Sequence, residues 1–444
     1  MFQFYKFIAP TWYHRLPPKK SFVYFLDYRK LPAEVQAHID LDHRYKSEIG
    51  MYMDAAFQAW NRGVMLNEPQ FELKETGRIP LADEYRFVKK YFNPFFAWYI
   101  FFIQFLTLRN PIGQLLGMFQ SFGVKRLNLY QKSVPLPVFK EGDFPLFQSN
   151  PLVTVIIPTL NRYTYLKDVF RDLEKQTHTH FEVIVVDQTS PSDPSVFEGW
   201  NLDLKVIYQE EKALWLARNT AIQQSKGDWI LLYDDDSLVD PDWIENHLKC
   251  LDHFKCDISS GVSISTVGGK VPASYAYFKW SDQVDTGNVL LPKKIFREIG
   301  LFDRQFEKQR MGDGEFGLRA YLHGYSNVSN PLAKRVHLKV GEGGLRQMGS
   351  WDAFRTKSWS SPRPIPSVLY LTRKYFGTST ALYLCFQKIP LSVIPYQYKS
   401  NKIMALFAYP MALVLSPILI FQLVKSWKLA SQKLKEGAKI SPLQ

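Results

Sequence analysis

Cysteine is scarce in this sequence, with three residues in 444: Cys250, Cys256 and Cys385. The number is odd and no C-x-x-C pair occurs. Neither a disulfide framework nor a cysteine zinc site is expected, and a reducing compartment fits. The first twenty residues, MFQFYKFIAPTWYHRLPPKK, lack an apolar run ending in small residues, so no signal peptide is read there. Internal repeats and low-complexity tracts are absent. The formal net charge is +13, yet the lysines and arginines form no single basic block. The aromatic residues sit in apolar runs rather than interleaved with basic ones, as a single-stranded nucleic-acid surface would require. No nucleic-acid partner is therefore expected, and the positive excess points to an anionic lipid surface or a phosphorylated substrate.

What is present is apolar mass: 46% of the chain is hydrophobic and 15% aromatic. That is enough for a large core and for two or three domains. The composition changes along the chain and divides it into residues 1–148, 149–346 and 347–444. The first part is aromatic-rich and poorly periodic. LPAEVQAHIDLDHRYKSEIGMYMDAAFQAW spaces apolar residues by three and four, which predicts one helix over about Pro32–Arg62. The run FFAWYIFFIQFLTL at 95–108 falls short of the ~20 residues needed to cross a bilayer. It reads either as a buried core helix or as a membrane-facing or re-entrant one.

The middle part alternates short apolar strands with helical stretches. VTVIIP at 153–158, FEVIVVD at 181–187, LKVIYQ at 204–209 and DWILLYDDD at 228–236 are the strands. The alternation predicts an α/β domain with a doubly wound, mainly parallel sheet. In such sheets ligands bind outside the carboxyl ends of the strands. The last part carries the apolar run IMALFAYPMALVLSPILIFQLV at 403–424, long enough for a membrane helix. Lys399 and Lys402 precede it, and Lys425, Lys428, Lys433, Lys435 and Lys439 follow it. Basic residues on both sides disfavour a single crossing, and Pro410 and Pro417 disfavour a straight one. An in-plane or hairpin insertion is favoured over a simple span or a soluble helix.

The chemistry-bearing residues sit at the strand ends. Asp234, Asp235 and Asp236 directly follow WILLY. Three adjacent carboxylates repel one another unless a cation offsets the repulsion. Mg²⁺ and Mn²⁺ prefer such oxygen ligands. Along extended chain, Asp234 and Asp236 point to one side and Asp235 to the other. The bland reading is a solvated acidic turn. Asp187 ends another strand and could accept from a base or ribose. Pro158, Thr159, Asn161 and Arg162 follow the first strand and open a helix, whose N-terminus can face a nucleotide. Arg218, beside Asn219, could neutralise phosphate charge. Taken singly, each of these is as readily a cap or a surface polar group.

Together, VTVIIPTLNR, EVIVVDQTS, LARNTAI and GDWILLYDDDS, in that order and spacing, resemble the family 2 glycosyltransferases of GT-A fold. The resemblance covers about Val153–Arg346. It implies a nucleotide-sugar donor, with Pro158 and Thr159 under the nucleotide and Asp187 at the base. Asn161, Arg162, Arg218, Asn219, Asp234 and Asp235 would complete the donor side. Asp234 and Asp236 match the metal-binding DxD pair, with Asp236 the direct ligand. Two departures stand out: Gln188 replaces a second acid, and Ala213-Leu214-Trp215 replaces a small-residue turn. LFDRQFEKQRMGDGEFGLRAYLHGY resembles the acceptor-side segment, where an acidic pair precedes a helix. Here the pair reads Gly312-Asp313, and Asp313 matches the catalytic base. Arg319, four residues after Glu315, is read as a structural ion-pair partner.

His337 is either a structural histidine or a late ligand of the metal, followed by the glycine-rich stretch Gly341–Gly344. Trp280 and Asp282 fall where family members shape the sugar pocket. The resemblance implies a metal-dependent, inverting transfer to a saccharide or lipid-linked saccharide, with Asp313 as base. A nucleotidyltransferase would need a basic, glycine-rich phosphate loop that PTLNRYTYL lacks. A non-catalytic nucleotide-sugar module would have no use for Asp313. The apolar flanking segments imply a membrane surface as partner. The expected location is the cytoplasmic face of a membrane, the bacterial inner membrane by the kind of enzyme.

Overall fold

The four apolar runs of the middle part each form a strand in the computed structural model. The structure describes residues 1–20, 23–66, 68–74, 77–129, 133–134, 142–266, 271–341, 353–356, 358–398 and 401–443. In chain order the first helices are α1 (Tyr5–Ile8), α2 (Ala33–Gln36), α3 (Glu48–Asn61), α4 (Leu81–Tyr91), α5 (Pro94–Leu106), α6 (Pro111–Gln120) and α7 (Pro145–Gln148). Then come β1 (Val153–Thr159), α8 (Tyr163–Leu173), β2 (Phe181–Asp187), β3 (Asp203–Tyr208), α9 (Leu214–Gln224), β4 (Trp229–Tyr233), β5 (Ser237–Val239), α10 (Trp243–Phe254) and β6 (Ile258–Ser265). The chain continues with β7 (Lys279–Trp280), β8 (Asn288–Pro292), α11 (Lys294–Ile299), α12 (Gly312–Leu322), β9 (Asn327–His337), α13 (Pro366–Lys388), α14 (Lys402–Val414) and α15 (Ser416–Glu436). It divides into two compact units. One comprises residues 1–142, 270–282 and 328–331, and the other residues 143–269, 283–327 and 332–444.

The second unit is built on a sheet of strand order β3-β2-β1-β4-β8-β6-β9-β5. β3, β2, β1 and β4 run parallel. β1, β2 and β4 are apolar runs buried almost throughout, as strands covered on both faces require, whereas β3 lies at the sheet edge and is largely exposed. The register sets Thr159 of β1 against Asp187 of β2, so both strands deliver their last residues to one edge. From β8 onward the pairing is antiparallel, with Tyr233 opposite Asn288 and Ser237 opposite His337. Asn288 fastens this half. Its amide donates to the carbonyls of Val262 and Ala333 and accepts from the Trp243 indole at 2.8 Å. One apolar core unites Ile156, Ile184 and Leu232 of the sheet with Phe296, Phe302 and Phe316. Each such side chain contributes about 1.5–3 kcal/mol on burial.

The C-terminal helices belong to the same core, through Leu369, Ala381, Leu419 and Ala430. The run 403–424 is not one helix. It breaks at Leu415 into α14 and α15, bent by 82°. Pro417 explains the break, since it has no N–H to offer the turn before it. No single helix among the described residues is long and apolar enough to cross a membrane. α15 buries Leu419, Gln422, Ser426 and Ala430 along one stripe. Its end is tied down where Lys433 Nζ donates to the Gln305 carbonyl at 2.6 Å. The opposite faces of α14 and α15 expose Ile403, Leu406, Leu413, Val414, Ile420 and Phe421.

In the first unit the helix expected over Pro32–Arg62 is two helices, α2 and α3, with residues 37–47 outside both. Tertiary hydrogen bonds overrule the apolar spacing there. The Gln58 side chain bonds the Asp40 backbone in both directions, and Asp83 accepts from the N–H groups of Lys46 and Ser47. Ser47 then caps α3 by accepting from Gly50 N. The run at 95–108 forms α5, which has one buried and one exposed face. It buries Ala97, Tyr99, Ile100, Phe101 and Gln104 and exposes Trp98, Phe102, Phe105 and Leu106.

Candidate active site

The carboxyl end of β4 carries Asp234, Asp235 and Asp236, and the side chains part as alternation requires. Asp235 turns to β1 and accepts from Thr159 Oγ1 at 2.8 Å and Arg162 Nη1 at 3.0 Å. Asp234 and Asp236 face His337. Each of these three offers a ligand atom, and the three atoms lie within 4.8 Å of one another. His337 reaches this point because β5 and β9 pair antiparallel, with Ser237 opposite His337. Its Nε2 is 3.2 Å from Asp236 Oδ1. Asp236 Oδ2 is 3.1 Å from Arg162 Nη1.

Asp234 is clamped. Arg218 Nη2 donates to its Oδ1 at 2.9 Å, and Arg335 Nη1 to its Oδ2 at 2.7 Å. Burial alone would raise its pKa, but the two guanidinium groups outweigh burial and hold it well below the usual carboxylate range. Asp235 goes the other way: burial, with the Asp236 charge adding to it, outweighs Arg162 and pushes it up to about 6. Arg335 is itself buried, and it spans Asp234, Asp285, Ser237 and Ser263. Asp285 is opposed by burial and held low by Arg335. Gly287 makes room for this arrangement, since a Cβ there would fall on Asp234 Oδ2 and the Arg335 guanidinium.

The remaining expected residues are placed as follows. Pro158 and Thr159 end β1, opposite Val186 and Asp187. Asp187 accepts from Tyr163 OH at 2.5 Å and from Thr189 N at 2.9 Å. Asn161 adopts a left-handed φ of 55° and donates its N–H to Thr189. Arg218, 1% exposed, also donates to Thr286 Oγ1 and to the Thr286 carbonyl. Asn219 does not face the strand ends. Its amide bonds both the N–H and the carbonyl of Phe302, which makes it a brace between α9 and the segment before α12. Asp313 lies in the first turn of α12, half-buried, accepting from Gly314 N at 2.8 Å. Arg319 pairs with Glu315 at 3.1 Å. Gly341 is described, while Glu342, Gly343 and Gly344 lie outside the described residues. Trp280 and Asp282 belong to the first unit.

Trp215 in α9 and Gly312, which stands where the family has an acid, explain each other. A Cβ at Gly312 would fall on the Trp215 indole. The indole is fixed there by its N–H bond to the Phe306 carbonyl at 3.1 Å. A bulky residue at 215 thus takes the space that an acidic side chain would need at 312. Gln188 is buried and accepts from Ala213 N at 2.7 Å, so it holds the turn before α9. Sequence reasoning missed Tyr163, Asp285, Arg335 and Gly287. One signal was available: Arg335 stands two residues before His337, and residues two apart on a strand share a face.

The donor set of Asp234, Asp236 and His337 suits a divalent cation. Oxygen ligands near 2.1 Å imply donors no more than about 4.2 Å apart, so a small closure of the observed spread suffices. Asp236 and His337 are the better disposed pair, because both oxygens of Asp234 already hold guanidinium groups.

Such an edge, with converging carboxylates, cations and a helix N-terminus outside the carboxyl ends of parallel strands, defines a ligand-handling α/β domain. The family model described as "Glycosyl transferase family 2" matches residues 154–310, about a third of the chain. Among curated proteins, the glycosyltransferase GlyA of Streptococcus pneumoniae is 25% identical over 36% of this chain and 22% of its own length. The putative glycosyltransferase EpsH of Bacillus subtilis is 31% identical over 22% of this chain and 30% of its own. The chain thus spans less than a third of the length of these relatives. Among solved structures, S. aureus TarS 1-349 in complex with UDP-GlcNAc is 19% identical with a TM-score of 0.42, covering 63% of this chain and 81% of that one.

Proposed function

We propose that the chain transfers a sugar from a nucleotide-activated donor to a saccharide or lipid-linked saccharide, with inversion at the anomeric carbon. The observation that carries this reading is the convergence of Asp234, Asp236 and His337 beside Asp235 and Arg162 at the strand ends. The catalytic domain would be residues 149–346. Mg²⁺ or Mn²⁺ held by Asp236, His337 and Asp234 would neutralise charge on the donor diphosphate. Arg162, half-buried although it pairs with Asp235 and Asp236, is better placed to meet a phosphate than Arg218, which is almost fully buried against Asp234 and Thr286. Pro158, Thr159 and Asp187 would border the nucleoside, with Tyr163 fixing the Asp187 carboxylate.

Asp313 would take the proton of the acceptor hydroxyl as that oxygen attacks the anomeric carbon. The bond to the diphosphate breaks, and its electron pair leaves with the nucleoside diphosphate. A base in this role is worth about 10²–10⁴ in rate. The apolar faces of α14 and α15 support work at a membrane surface, at the cytoplasmic face if the enzyme is bacterial.

The test is a screen of nucleotide sugars for nucleoside diphosphate release, with Mg²⁺ and with Mn²⁺, with and without lipid-linked acceptors. Asp313→Asn is expected to lower turnover by about 10²–10⁴ while donor affinity stays within a few fold. Asp236→Ala is expected to abolish the metal dependence of donor binding. Full turnover in Asp313→Asn would remove the base, and donor binding without release in the native chain would make this a non-catalytic module.

A further inference from the structure

The first unit contains a cavity of about 310 Å³ that the proposed chemistry does not use. Lys6, Arg78 and Arg109 line it. Among the described residues one carboxylate lines it, Glu84, whose oxygens accept from the backbone N–H groups of Gln3 at 2.8 Å and Phe4 at 2.9 Å. Among the described residues, none of the three cations forms a salt bridge. Burial, and then the charges of Arg109 and Arg15, lower the Lys6 pKa, the mark of cations crowded together with too little negative charge. Gln104 also lines the cavity. It is 7% exposed, and among the described residues its Oε1 has no hydrogen-bond partner. That amide end accepts from a hydroxyl or, turned over, donates to a phosphoryl oxygen. The site is therefore built for a ligand that carries both an anion and hydrogen-bonding oxygens.

The surroundings of the cavity select the source of that ligand. Gln104 is on α5, Arg109 follows α5, and Gln114 of α6 donates to the Arg109 carbonyl at 3.2 Å. These two helices also present the apolar surface of the unit. Trp98, Phe102, Phe105 and Leu106 are exposed on α5, and Ile112, Leu115, Leu116 and Phe119 on α6. Leu108, between the helices, is 79% exposed. A monomeric soluble surface rarely gathers this much apolar area, and a patch joined to a cationic pocket suits the bilayer interface. A free phosphate in water would gain nothing from that rim.

We propose that the cavity takes the phosphate of an anionic phospholipid headgroup while the exposed faces of α5 and α6 enter the acyl region. This adds a headgroup site to the membrane part of the functional reading, on which it rests, and it leaves the donor site untouched. A Lys or Arg at an anionic surface contributes about 1 kcal/mol, so removing two is expected to weaken binding roughly thirtyfold, the equivalent of about 2 kcal/mol.

The experiment is sedimentation of the full chain with phosphatidylcholine vesicles, with and without phosphatidylglycerol, at fixed ionic strength. The native chain is expected to prefer the anionic vesicles. Arg78→Gln with Arg109→Gln, both exposed positions, is expected to lose that preference roughly thirtyfold at unchanged thermal unfolding. Leu108→Ser with Leu116→Ser should weaken binding to both kinds of vesicle. The proposal is overturned if the arginine variant binds anionic vesicles like the native chain. It is equally overturned if the native chain does not discriminate between the vesicles, or if millimolar inorganic phosphate releases it from them, which would make the pocket a free-phosphate site. Nucleoside diphosphate release, measured on the same variants with a soluble donor, separates the two readings. Vesicle binding lost with release retained supports this site, whereas vesicle binding retained without any release defeats the transferase reading alone.

Discussion

Both units bury a cluster of carboxylates and cations, and only one of the two has the makings of a chemical site. In the first unit Asp42 is bound by Arg86 at 2.7 Å, Arg44 at 2.9 Å and Lys90 at 3.2 Å. Asp54 is bound by Lys90 at 2.6 Å, Tyr45 OH at 2.9 Å and Gln58 at 3.0 Å. Each carboxylate there is saturated by its neighbours, and the cluster lies between helices. In the second unit Asp234, Asp236 and His337 turn three ligand atoms toward one point, at a strand edge where phosphate oxygens could enter. Buried charge alone does not mark function. Convergence of donor atoms on a position that a ligand can reach does.

The comparison breaks most visibly at Lys90, which is nearly fully buried against Asp54 and Asp42. Lys90→Met is expected to cost about 3–5 kcal/mol, the penalty for leaving buried carboxylates short of a partner. The denaturant midpoint would fall, and Asp54→Asn in the same chain should recover part of the loss. Donor affinity of the folded fraction is expected to stay within a few fold. A cost below about 1 kcal/mol would mean that the first cluster is not the structural lock described here.

Legibility in the sequence followed the same divide. The strands β1, β2 and β4 could be read because parallel strands covered on both faces are continuous apolar runs, and β3 because its short run VIY is apolar even at the exposed edge of the sheet. The antiparallel strands β5 to β9 could not. SLV and KW are too short, and NVSNPLAKRVH is polar and interrupted by Pro331. The carboxylates of the site were legible, since they follow β2 and β4 directly. Their cationic partners were not, because Arg335 comes to Asp234 only through the β5–β9 pairing, across about a hundred residues. The helix over Pro32–Arg62 misled for a related reason, its apolar spacing being overruled by side chains such as Gln58 and Asp83 that bond distant backbone.

A smaller effect sharpens the comparison within the second unit. His247 is fully buried, hydrogen-bonded to Ser259 Oγ at 2.8 Å and Asn288 Oδ1 at 3.0 Å. Burial lowers its pKa to about 4. The folded value lies below the unfolded value of about 6.5, so its contribution is complete above that pH and drains away as pH falls toward 4. The loss is about 3 kcal/mol over that window. Urea midpoints measured from pH 7 to pH 4 should show this decline, and His247→Asn should flatten it. A decline of the same size in the variant would assign the acid sensitivity to other groups.

The smallest expected effect, a coupling between two positions, tests the fit of Gly312 against Trp215 at the entry to α12. Gly312 packs its backbone on the Trp215 indole, and Met311 before it takes a left-handed φ of 79°. Adding a methyl group there meets a ring held by Phe306, so Gly312→Ala is expected to cost about 1–3 kcal/mol from overpacking. Trp215→Ala alone leaves a cavity and costs about 3–5 kcal/mol. The two changes should not add. With the indole gone the new methyl group has room, so the double variant should be more stable than the sum of the single changes predicts, by about 0.5–3 kcal/mol. The same variants bear on the role proposed for Asp313, which adjoins Gly312, since any shift of this turn moves its carboxylate. Strict additivity in the unfolding free energies would mean that Gly312 and Trp215 were not fitted to each other, and that the missing acid at 312 needs a different cause.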